Sequence, residues 1–182
     1  LLITGVIVGM PYVQVKVLHF SDYYYGLTEA ALSLGFILVG IYLSARKAIR
    51  YPLLLAWKSI LTIGGLVALM GAVLWLPLST DAFFAFFLLI SLIFGGISTA
   101  VNIPMMTWVT QIVPTHYQGR IFNIVSTASQ LLSPLGMVIF SLGFDYLPAS
   151  LLFLLCGAIM IGVTAYWPRF YKVNILSNQL ED

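Results

Sequence analysis

Polar and apolar positions in this chain fall into long blocks rather than short alternations. Six apolar runs occupy residues 1–18, 26–45, 52–77, 82–113, 120–143 and 148–167. Each is near or above the ~20 residues that a helix needs to cross hydrocarbon. The links between them, "HFSDYYY", "RKAIRY", "LSTD", "PTHYQG" and "FDYL", are short. Short links make consecutive helices antiparallel neighbours. The pattern predicts an all-α integral membrane bundle of six crossings over residues 1–167, with a polar tail at 168–182.

Composition supports the same solvent. The chain is 61% hydrophobic and 8% charged, where soluble domains carry about a quarter charged residues. A mean hydropathy of +1.04 is too high for a small globule, which must leave much of its surface in water. The net charge of +2 gives no footprint for nucleic acid. Cys156 is the one cysteine; it lies in an apolar run and reads as a small buried hydrophobe. The first apolar run is already under way at Leu1, with no basic start or small-residue cleavage site. The expectation is a piece of something longer.

Charge then orients the bundle. The first, third and fifth links hold Asp22, Asp81 and Asp145 and neither Lys nor Arg. The second holds Arg46, Lys47 and Arg50, the fourth runs into Arg120, and the tail holds Arg169 and Lys172. Lys and Arg collect on the cytoplasmic side, so the even-numbered links and both ends of the chain are expected there. Lys58 can snorkel to that side; Lys16, near the outer face, is the exception. Tyr23, Tyr24, Tyr25, Trp75 and Tyr146 fall at the outer boundary. Tyr51, Trp57, Trp108, Tyr117, Trp167 and Tyr171 fall at the inner one, where amphipathic rings anchor a bundle.

Polar residues inside the runs divide the helices again. The third and sixth runs contain no Asn, Gln, Asp, Glu or His and read as lipid-facing. The first has Gln14 and Lys16, the second Glu29, the fourth Asn102 and Gln111, the fifth Asn123 and Gln130. Polar groups at membrane depth face a partner helix or a water-filled cavity. Polar first, second, fourth and fifth helices beside plain third and sixth ones suit a transporter built as a 3+3 inverted repeat.

The fourth run is also long. At 1.5 Å per residue, 82–113 extends about 48 Å, past the ~30 Å of hydrocarbon. Pro104 removes the amide that would bond Ala100, a reason to bend. Asn102 either satisfies backbone loosened there or, with Ser98 and Met106 four residues away on either side, lines a cavity.

In "IVPTHYQGRIFNIVSTASQLLSPLG", Pro114 ends the fourth helix, "THYQG" forms a cytoplasmic turn, and Arg120 begins the fifth helix. Asn123, Thr127, Gln130 and Pro134 then recur at spacings of four, three and four, with Ser126, Ser129 and Ser133 beside them. This is one stripe of polar and small residues, suited to a close helix–helix seam or, as the second reading, to a substrate surface.

The segment "VPTHYQGRIFNIVSTASQLLSPLG", preceded by "NIP", resembles the region joining helices ten and eleven of the major facilitator superfamily. It is most similar to members of the macrolide-efflux and enterobactin-exporter type, and Gly119-Arg120 carries the likeness. "GLTEAALSLGFILVGIYLSARKAIR" is similar to their helix eight and basic loop. Gly40 matches the loop signature, but Ser44 stands where an Asp would be expected, so the resemblance does not carry that Asp's gating role over to this chain. The resemblance implies the carboxy-terminal six-helix half of a twelve-helix transporter of a bacterial plasma membrane. It also implies alternating access against a missing amino-terminal half of the same chain. Helices one and four would line the cavity, two and five would rock against the other half, and three and six would face lipid.

The candidates follow. Met10 and Gln14, with Ser98, Asn102 and Met106, are the substrate-binding candidates. Glu29, the one carboxylate inside a run, is the proton-coupling candidate, and Lys16 lies at a similar depth on the preceding helix. A Lys16–Glu29 pair is expected in a state closed to the outside. Gly119, Arg120, Asn123, Thr127 and Gln130 form the loop and seam motif. His19 and His116 lie in links. An embedded enzyme would need a Ser/His pair, an Asp pair or a His/Glu cluster, and no run holds one, so no catalytic residue, metal or cofactor is expected. The reading is proton-coupled efflux of an amphiphilic small molecule such as a drug or siderophore. A six-span homodimeric channel or half-transporter is the alternative.

Overall fold

The computed structural model describes residues 2–45 and 52–171, with side chains described as far as residue 166. Arg46, Lys47, Arg50 and Tyr51 of the basic link, and Lys172 of the tail, lie outside the described residues. Every regular element among those described is helical: α1 (Leu2–Tyr12), continued by a π-helical turn (Val13–Val17), α2 (Asp22–Ser44), α3 (Pro52–Val73), α4 (Thr80–Ile112), α5 (Thr115–Tyr146) and α6 (Ala149–Tyr171). Five of these are long and apolar enough to cross a membrane, and the apolar helix Leu2–Val17 is shorter.

Two helix starts are capped alike. Ser21 and Ser79 each accept a hydrogen bond at 3.4 Å on the side-chain oxygen, from Tyr24 N and Ala82 N. An Asp follows each, in the first turn, where a carboxylate meets the positive end of the helix dipole. These caps start α2 and α4 earlier than the apolar runs do and draw Asp22 and the Tyr23–Tyr25 triplet into helix.

The fifth helix differs most from the sequence pattern. It begins at Thr115, so "THYQG" is helix rather than turn, and the link is reduced to Val113 and Pro114. Proline at the entry has φ −54°, already suited to helix, and gives up an amide that has no partner there. α5 therefore runs 32 residues, one fewer than the 33-residue α4, which continues as helix through Pro104.

Packing follows glycine. A Cβ on Gly35 would run into Leu92 O and one on Gly95 into Leu32 O, so α2 and α4 cross with their backbones in contact. Thr99 Oγ1 adds a bond to Phe36 O at 3.4 Å. α3 meets α6 in the same way, through Gly157 against Ala68 and Gly71 against Ser150, with Trp57 Nε1 donating to Thr164 O at 2.8 Å. α1 is joined to the second half of α5 and to α6: Phe140 lies against Gly5, Phe144 and Phe153 (of α6) against Gly9, and Gly136 against Thr4. Small residues that let backbones approach replace the hydrophobic drive that lipid removes.

The core is one cluster: Val67 and Met70 of α3, Phe83, Phe87, Ile90 and Phe94 of α4, Phe153 and Cys156 of α6, and Val6, Met10 and Val13 of the first helix. α3 is more enclosed than a lipid-facing helix. Leu69 is its one large apolar residue in the exposed class, because α4 and α6 both pack on it. Its plain composition reflects core packing as much as contact with lipid.

Candidate functional site

Gln14 lies in the π-helical turn. Leu18 N bonds Val13 O at 2.8 Å, Phe20 N bonds Gln14 O at 2.9 Å, and His19 takes φ 50°, in the left-handed region that His enters more readily than most residues. The widened turn directs Gln14 onto the second helix, where Thr28 Oγ1 donates to Gln14 Oε1 at 2.7 Å. The same hydroxyl is 2.8 Å from Tyr25 O. One proton cannot serve both acceptors; with the Gln14 amide turned end for end, its nitrogen donates to Thr28 and the hydroxyl to Tyr25. Gln14 is 1% exposed and Met10 8%. Both are covered by neighbouring helices in this conformation rather than open to a cavity.

Ser98, Asn102 and Met106 do share one side of α4, and it opens along its length: Ser98 is half-buried, Asn102 exposed and Met106 56% so. Asn102 Nδ2 donates to Ser98 O at 2.8 Å. Its amide therefore satisfies a backbone carbonyl, but not that of Ala100, which Pro104 leaves without its usual partner.

Lys16 and Glu29 are both exposed and form no ion pair with each other. Lys16 Nζ lies 5.8 Å from the centroid of the Tyr12 ring, a cation–π geometry. The expected pair is absent in this conformation, and Lys16 lies instead over the tyrosine one turn back on its own helix.

Gly119, Arg120, Asn123, Thr127 and Gln130 are all exposed on the first half of α5. Gln130 Nε2 donates to Ser126 Oγ at 3.0 Å, within the stripe. The buried residues of α5, Gly136, Phe140 and Phe144, all lie in its second half, and the stripe residues of the first half are exposed. A seam here has no partner among the described residues. His116, ring-to-ring with Tyr117 at 4.1 Å, extends the stripe by one turn toward the N-terminus of α5.

Three working contacts were not legible. Thr28 is Gln14's partner. Gln118 Nε2 donates to Thr110 O and Val113 O at 2.8 and 2.9 Å, closing the end of α4, and a Gln after a helix-ending Pro was the available signal. Tyr12 hydroxyl donates to Phe144 O at 3.2 Å, with the two rings stacked at 5.0 Å.

Two comparisons with known proteins bear on this arrangement. Residues 1–137 match the family model described as Major Facilitator Superfamily. An uncharacterized MFS-type transporter of Bacillus subtilis (strain 168), YfiS, is 36% identical over 78 residues, which is 43% of this chain and 18% of that relative's length. No solved structure matches the chain.

Proposed function

This chain belongs to the Major Facilitator Superfamily, and we propose that it is the carboxy-terminal half of a proton-coupled exporter of an amphiphilic small molecule. Family membership and the apolar helices support a multi-pass membrane transporter over an enzyme. The observation that carries the finer reading is the uncovered polar surface of α4 and α5. Asn102, Asn123, Thr127 and Gln130 are exposed on helices otherwise apolar enough to cross a membrane. Such groups are expensive against lipid and stable against a partner or a wet cavity.

The helix pairing supports a 3+3 inverted repeat. α2, second of the first triplet, packs on α4, first of the other; α5, second of the other, packs on α1. α3 and α6, the third members, pack on each other. Exchange of the triplets preserves these pairings, as a pseudo-two-fold axis requires. In this reading the missing amino-terminal half stands opposite the α4 and α5 faces across a water-filled cavity, both chain ends are cytoplasmic, and Glu29 carries the proton.

The test is a cell-based efflux assay on the full-length transporter, using a panel of amphiphilic dyes with and without a proton uncoupler. Asn102→Ala is expected to leave membrane abundance unchanged and to lower efflux severalfold. Loss of the protein from the membrane would instead make Asn102 a backbone support. A dye flux unaffected by the uncoupler would remove proton coupling from the reading.

A further inference from the structure

A cavity of about 430 Å³ opens at the end of the bundle where α5 turns into α6. Tyr12, Leu74, Phe144, Asp145, Tyr146 and Ser150 are among the residues that line it. Three features of this wall favour positive charge. The Asp145 carboxylate is exposed and makes no hydrogen bond or ion pair with any described residue. α5 ends at Tyr146, so its last carbonyls present the negative end of the helix dipole. Tyr12, backed by the buried Phe144, and the exposed Tyr146 supply aromatic rings, whose faces attract cations.

The wall is also fixed in place. The Tyr12 ring is stacked on Phe144 at 5.0 Å and tied by its hydroxyl to Phe144 O at 3.2 Å. No Lys or Arg lines the cavity. Lys16 lies just outside the lining, with Nζ 5.8 Å from the centroid of the Tyr12 ring.

We propose that this pocket binds a small organic ammonium ion, held by Asp145 and the aromatic wall and opposed by Lys16. Asp145 and the negative end of the α5 dipole supply the attraction of opposite charge, and the rings accept the alkyl face of the cation. Lys16, a like charge on a neighbouring ring, weakens binding and competes for Tyr12. The site is separate from the α4 and α5 faces assigned to transport, so the two readings stand or fall independently.

Equilibrium dialysis of the full-length purified transporter against radiolabelled choline tests this, with 3,3-dimethylbutan-1-ol as the uncharged isostere. Choline is expected to bind saturably and not to be displaced by equimolar isostere. Asp145→Asn should weaken binding about fivefold, the size of one partly exposed charge interaction. Lys16→Met should tighten it by about threefold. Opposite signs from the two variants separate a charge-selective site from simple damage to the fold. The proposal is overturned by absence of saturable binding, by equal competition from the isostere, or by variants that both leave affinity unchanged or both lower it.

Discussion

Thr28 Oγ1 lies 2.7 Å from Gln14 Oε1, and both side chains are 1% exposed. This contact fastens the π-helical turn of the first helix to the second helix. In so dry a setting a hydrogen bond is worth most when it is broken one-sidedly, because the remaining partner is left buried and unsatisfied.

Thr28→Val should therefore destabilise by about 1–3 kcal/mol, read as a lower melting temperature of the detergent-solubilised transporter. Gln14→Leu should do the same. The double variant should cost less than the sum of the two, since both orphaned groups are then gone. Strict additivity would mean that the two side chains do not act as a pair.

Backbone contact between α2 and α4 predicts a sharp difference between glycines. Gly95→Val must push Leu32 O away and should cost several kcal/mol or block accumulation of folded protein, as overpacking does. Gly65→Ala meets nothing within 4 Å and should be neutral, or stabilising by a few tenths of a kcal/mol through helix propensity. Fluorescence-detected size exclusion of tagged variants would distinguish the two. Equal behaviour would contradict the close crossing.

Lys16 and Glu29 stand apart in this conformation, with Lys16 over Tyr12. The charge swap Lys16→Glu with Glu29→Lys should therefore not restore efflux lost in either single variant. Glu29→Gln alone should abolish the uncoupler-sensitive part of the flux if Glu29 carries the proton. Rescue by the swap would show that the two pair in another state of the transport cycle.

The blocks of apolar residues were legible because a bilayer sets a minimum length, and the chain meets it run after run. Helix starts were less so. Ser21-Asp22 and Ser79-Thr80-Asp81 carry capping chemistry that extends α2 and α4 beyond their apolar runs. Pro114 reads as a stop for α4, yet the same proline also opens α5 five residues before the arginine that seemed to start it. The uncovered stripe at Asn123, Thr127 and Gln130 was legible from its spacing, which needs only helical geometry. Gln14 was not, because five residues of π-helix change the phase of every side chain after Tyr12. Nor does sequence tell a glycine such as Gly95, in backbone contact across helices, from one such as Gly65 with open space beside it.

The central claim is that the uncovered face of α5 meets water and substrate rather than lipid. Single cysteines at Asn123, Thr127 and Gln130, in a Cys156→Ala background of the full-length transporter, test it through their rates of reaction with a small charged thiol reagent. Cysteines at Val125 and Leu132, exposed but off the stripe, serve as the comparison. The account predicts that the three stripe positions react at least about tenfold faster than the comparison pair, as wet sites do over groups in hydrocarbon. It also predicts that a transported dye slows them selectively. Uniformly slow labelling at all five positions, unchanged by the dye, would contradict it.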